Sequence, residues 1–255
     1  MEVSLHTFLI VCPLIFLAGL MDAVVGGGGL ISLPAYLAAG LPPHMATATN
    51  KCSSVFGAVV SAVRFFRSGK VHRAALLAAG LALPGSWLGA LLNLSLSERY
   101  LHYVLVIALP VTAVFLLARR DFGTESRVDK LSPGRLAVLC GVIGFLLGMY
   151  DGFFGPGAGT FLILAFTALT GFDLVTASGN AKVVNLCSNL AAFVTFAASG
   201  QILWTVGLPA ALFSILGHFT GSTLALTKGA RAIRPMFFVV LLLLLIRIVS
   251  DLLAG

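Results

Sequence analysis

Two stretches of this chain, Phe8 to Leu41 and Leu136 to Phe172, are too long for single membrane crossings and too apolar to stand in water. Each contains one charged residue, Asp22 or Asp151. A continuous helix over the 34 residues of the first would run about 50 Å, against a hydrocarbon core of about 30 Å. Each stretch must therefore break, and each carries a glycine cluster where it can. The first reads Asp22-Ala23-Val24-Val25-Gly26-Gly27-Gly28-Gly29 and the second Asp151-Gly152-Phe153-Phe154-Gly155-Pro156-Gly157-Ala158-Gly159. Glycine weakens a helix, and irregular backbone at membrane depth is tolerated only inside protein or beside a polar cavity. The pattern predicts two folded-back helix pairs hinged at the glycines.

With 59% hydrophobic and 10% charged residues, the rest of the chain is equally apolar. Eight segments emerge: Phe8–Leu41, Met45–Val63, Ala74–Leu94, Leu101–Ala118, Leu136–Phe172, Val175–Ala198, Val206–Leu226 and Pro235–Leu253. The fold class expected is an all-α polytopic membrane protein, two sets of four segments with glycine-broken first and fifth members. Residues 1–120 form a first transmembrane repeat, 121–135 a cytoplasmic linker and 136–255 a second repeat. The net charge of +7 sits in clusters between apolar segments, not along a soluble face, which argues against nucleic acid. The N-terminal stretch lacks the basic start of a signal peptide and is expected to be retained. Cys12, Cys52, Cys140 and Cys187 follow no zinc or redox spacing and read as buried thiols, so no metal or cofactor is expected.

Cytoplasmic loops carry the excess of Lys and Arg. If both long segments fold back on themselves, the clusters Arg64 to Arg73, Arg119 to Arg135 and Lys228 to Arg234 share one side, twelve cations against Arg99 alone. That leaves three net crossings per half. The halves become inverted repeats with both termini outside the cytoplasm.

The halves also match residue by residue. Asp22 and Asp151 lie 129 positions apart, Asn50 and Asn180 130, Lys51 and Lys182 131, which points to duplication. A lysine at the centre of a membrane helix costs about 2.5–3.5 kcal/mol and so faces a partner, a cavity or a ligand. Two duplicated lysines suggest an anion site, completed by Thr49, Asn50 and Asn180 and by Gly28, Gly29, Gly157 and Gly159, where restarting helices offer free N–H groups. The alternative is structural: Lys51 and Lys182 neutralised by Asp22 and Asp151, the latter acting as counter-charges or coupling groups. Ser53, Ser54, Ser178 and Asn185 flank the lysines as further donors or interhelical glue. His218, in a glycine-rich packing stretch, reads as a hydrogen-bonded helix residue rather than a relay, and Gly85/Gly89, Gly144/Gly148 and Gly217/Gly221 as helix contacts.

The run Asp22 to Pro34, with Gly40-Leu41-Pro42-Pro43-His44 and Thr49-Asn50-Lys51, closely resembles the first half of the sulfite exporter TauE/SafE family of bacterial permeases. Tyr150 to Gly159, Ala181-Lys182, Lys228-Gly229 and Ile233-Arg234-Pro235 resemble the second half of its uncharacterised inner-membrane branch. The resemblance implies a bacterial inner-membrane, multi-pass secondary transporter for sulfite, sulfonates or related small organic anions, with export the expected direction. Coupling to a proton or sodium gradient and a homodimeric state are both compatible with it. The rivals are a passive anion channel and an intramembrane hydrolase using Ser86, which lacks a duplicated nucleophile and base. No catalytic residue is expected.

Overall fold

The computed structural model describes residues 5–97, 128, 131–233 and 235–236. The segments Leu101–Ala118 and Pro235–Leu253, most of the linker at 121–135, and Arg99 lie wholly or largely outside the described residues. What is described is helical, without strands. The first half contains α1 (Leu5–Val25), α2 (Gly29–Ala38), α3 (Pro43–Arg67) and α4 (Ala74–Ser95). The second half contains α5 (Pro133–Phe153), α6 (Ala158–Thr170), α7 (Leu174–Ala198) and α8 (Trp204–Lys228).

Both overlong stretches are interrupted at their glycines, α1 giving way to α2 and α5 to α6. At 10 and 13 residues, α2 and α6 reach about 15 and 20 Å, short of a crossing. Five described helices, α1, α4, α5, α7 and α8, are long and apolar enough to span a membrane. Although α3 has 25 residues, its run Thr47 to Ser54 carries Thr49, Asn50, Lys51 and Ser53 and makes it too polar to join them. That polarity is turned inward: all four are buried. Exposed positions are instead taken by Leu76, Leu77, Leu91, Val138, Val142, Leu212, Leu216 and Phe219, as expected where the surroundings are lipid.

Local signals set the helix limits. Pro43 opens α3 and Pro133 opens α5, at the position where a missing N–H costs nothing. The Asp173 carboxylate accepts from Val175 and Thr176 N–H at 3.1 Å each and caps α7. Just before it, Gly171 takes φ +76° and ends α6, with Phe172 N–H donating to Phe166 O at 3.3 Å.

In space the halves interleave. Helix α8 packs on α1 and α3, and α4 packs on α5 and α7, so each half lends its fourth helix to the other, while α3 and α7 meet at the centre. These contacts run backbone to backbone through the four-residue glycine pairs. A Cβ on Gly85 or Gly89 would lie 2.3 or 2.0 Å from the Phe145 or Met149 carbonyl oxygen, and one on Gly217 or Gly221 2.2 or 2.3 Å from Phe16 or Leu20 O. Gly144→Ala, whose Cβ would meet Ala78 O at 2.1 Å, is expected to cost about 1–3 kcal/mol by forcing α4 and α5 apart. Gly80→Ala, with no described atom within 4 Å, should gain up to about 1 kcal/mol of helix propensity. Thermal melts of both variants in detergent check the contrast.

Candidate functional site

The two breaks meet. Gly26 at φ +78° and Gly155 and Gly157 at φ +94° and +78° turn the chain in the left-handed region that glycine alone enters freely. Thr160 Oγ1 donates to Val25 O at 2.8 Å, so the start of α6 satisfies a carbonyl that the end of α1 leaves open. Gly26 and Gly159 touch backbone to backbone, because a Cβ on Gly26 would fall 2.2 Å from the Gly159 carbonyl carbon. Side chains are excluded there, and a small polar cavity remains beside the crossing.

Its volume is about 30 Å³. At 10–15 Å³ for each water position, that is room for about two waters. Gly26, Gly28, Gly29, Gly155 and Gly159 contribute backbone, and Asp22, Ser32, Asn50, Lys51, Ser54, Asp151, Asn185, Asn189, Ser214 and His218 contribute polar side chains. The lining therefore comes from both halves.

Two buried ion pairs hold it, each crossing between the halves. Lys51 Nζ lies 2.8 Å from Asp151 Oδ1 and donates to Asn189 Oδ1 at 3.0 Å. The other carboxylate oxygen of Asp151 accepts from Ser188 Oγ and, at 3.3 Å, from Asn185 Nδ2. Asp151 is thus fully satisfied, as a buried charge must be. Lys182 Nζ donates to the Asp22 backbone carbonyl and stands 3.8 Å from Asp22 Oδ2. Asp22 is held more loosely: Oδ1 accepts from Gly28 N–H at 3.3 Å, while Oδ2 has Lys182 at 3.8 Å and His218 Nε2 at 3.7 Å. Its side chain is 17% exposed, against 3% for Asp151.

The residues singled out by sequence divide accordingly. Lys51, Asn50, Gly28, Gly29, Gly159, Asp22 and Asp151 line the cavity. Lys182 does not: its ammonium sits behind Asp22, neutralising that carboxylate. Thr49 does not either, since its hydroxyl accepts from Leu203 N–H at 3.1 Å and anchors the start of α8. Asn180 accepts from His72 N–H at 2.8 Å, tying α7 to the turn after α3. One reason covers both: positions two apart on a helix point roughly 200° apart, so Thr49 and Asn180 face away from Lys51 and Lys182. Gly157 forms the left-handed start of α6 without reaching the cavity. Sequence reasoning missed Ser188, Asn189 and Ser214 and gave His218 a packing role. The signal for α7 was present in the spacing of Lys182, Asn185 and Asn189, one polar stripe at helical period. Ser86, the nucleophile of the hydrolase rival, donates to Ser188 O at 2.5 Å and lies on the α4–α7 contact.

Comparison with known proteins agrees with this membrane architecture. The profile described as sulfite exporter TauE/SafE matches residues 11–248. A probable membrane transporter protein of Haemophilus influenzae is 37% identical over 252 residues, covering 98% of each chain. Another from Sinorhizobium sp., ORF9, is 34% identical over 98% of this chain and 95% of its own. The probable membrane transporter protein YfcA of Escherichia coli K12 is 35% identical over 92% and 87%. No solved structure matches. The chain, a multi-pass membrane protein throughout this similarity, belongs to the sulfite exporter TauE/SafE family of membrane transporters and is not an enzyme.

Proposed function

We propose that this protein is a secondary transporter of the bacterial inner membrane that exports small anions such as sulfite, sulfonates or short carboxylates, the site being the cavity at the crossing of the two helix breaks. The observation that carries this reading is a charged, donor-rich space walled by glycine backbone and buried among apolar helices. Lys51 and the amide of Asn50 supply donors, the Ser32 and Ser54 hydroxyls become donors by turning from Gly28 O and Asn50 Oδ1, and the glycines let oxygen atoms approach the backbone. Room for about two waters is tight for sulfite and too small for a larger sulfonate, so loading requires the walls to part. The interleaved halves provide the means: as inverted repeats rocking about α3 and α7, they would open the site to one side and then the other.

The test is binding followed by flux. Purified protein titrated with sulfite, thiosulfate, methanesulfonate and acetate should be stabilised by at least one of them, by about 2.7 kcal/mol at a hundred times its Kd. The same anion should show saturable uptake and counterflow in proteoliposomes. Stabilisation by neutral or cationic solutes with none from anions would overturn the assignment, and non-saturating flux would make the protein a channel.

A further inference from the structure

The described charges of the cavity cancel: Lys51 against Asp151, Lys182 against Asp22. An anion entering this space brings a negative charge that no free cation among the described residues balances, and the cost of uncompensated charge in a low-dielectric interior is high. One further group can change its charge there, and the fold has made a place for it. His218 of α8 is 2% exposed, and its ring occupies a slot left by two glycines on the facing helices. A Cβ on Gly57 of α3 would lie 2.3 Å from His218 Cδ2, and one on Gly19 of α1 3.1 Å from it. The ring nitrogens are both addressed: Nδ1 is 2.7 Å from Ser61 Oγ, and Nε2 faces Asp22 Oδ2 at 3.7 Å beside the cavity.

We propose that His218, paired with Asp22, binds the proton that travels with a monovalent anion, one proton per anion, so that the two cross without net charge and the anion's own outward gradient drives export. This rests on the anion reading above. In the unloaded site the imidazole is neutral and the cluster has no net charge. A proton from hydronium joins the ring, one N–H bond forming as an O–H bond of hydronium breaks, and the imidazolium supplies the single positive charge that the anion needs. Release reverses the step, returning the proton to water as the anion leaves.

The two polar partners of the ring can serve either protonation state. A serine hydroxyl can donate or accept, so Ser61 pairs with Nδ1 whether or not that nitrogen carries hydrogen. Asp22 Oδ2, beyond hydrogen-bond reach at 3.7 Å, is placed to close on a charged ring. Asp151, locked by Lys51, Ser188 and Asn185, has no such latitude. Of the other charged groups described on the packed helices, Arg67 of α3 is exposed and the rest have partners. Lys182 of α7 shares the Asp22 carboxylate with His218, and its positive charge opposes a second one on the ring, while Lys51 of α3 is held by Asp151. Arg64, one turn beyond Ser61, donates to Thr223 Oγ1 and stacks over Phe219. His218 also packs, but a ring seated against two glycines and addressed by two polar partners is more than packing requires.

The experiment counts protons. Calorimetric titration of the full-length protein with methanesulfonate, which stays a monoanion across the range, is run at one pH in buffers of different ionisation enthalpy. Uptake of about one proton per anion is expected, with affinity rising about tenfold per pH unit of acidification where the site titrates. His218→Gln should bind more weakly and take up none. Binding with zero uptake in the wild-type protein overturns the coupling alone and needs no variant to fold, as does undiminished uptake in His218→Gln. No binding at any pH overturns the anion site itself, and this coupling with it.

Discussion

Lys51→Met should be among the most damaging substitutions in this protein, costing about 3–5 kcal/mol of stability, because it leaves the Asp151 carboxylate charged, buried and without its cation. The second change Asp151→Asn, which removes the stranded charge but keeps an oxygen for Ser188 and Asn185, should recover most of that loss. Stability and binding then part company: the double variant should melt near the wild-type temperature yet fail to bind an anion, having lost the cavity's one lining ammonium. Asp22→Asn should cost less than Asp151→Asn, since Asp22 is more exposed and its contacts are longer. Melting temperatures of the four variants, with sulfonate titrations of those that fold, decide the matter. A double variant no more stable than Lys51→Met would show that the pair is not what holds the two halves together.

Gly26→Ala and Gly159→Ala should each destabilise the protein by about 3 kcal/mol or more, an effect out of proportion to one methyl group. At Gly26 two penalties add. The residue sits at φ +78°, and its new Cβ would lie 2.2–2.4 Å from Gly159 and Thr160 backbone atoms. At Gly159 the backbone is ordinary and only the collision remains, with Gly26 Cα at 2.5 Å. Gly26→Ala should therefore be the worse of the two. The double variant should be no milder than either single one, because neither methyl group vacates space for the other. Thermal melts and the yield of monodisperse protein in detergent provide the readout, and wild-type behaviour of Gly26→Ala would remove the crossing as the keystone of the site.

The sequence by itself determined that the chain lives in a membrane, that its first and fifth apolar stretches break at glycines, and that Lys51, Lys182, Asp22 and Asp151 need partners. These are properties read along the chain: apolar run length against bilayer thickness, helix propensity, and the cost of a buried charge. Tertiary structure alone decided who meets whom. Lys51 pairs with Asp151, 100 positions away, and Lys182 with Asp22, 160 away, rather than with the acid of its own half. Both pairings follow from the crossing of the glycine breaks and the packing of α3 against α7. Tertiary packing also separated two lysines that duplication made look equivalent, one lining the cavity and one held behind Asp22. The place of His218 was invisible for the same reason. Its slot is made by glycines on two other helices, and a cavity is a property of surfaces brought together across the fold, which no local pattern encodes.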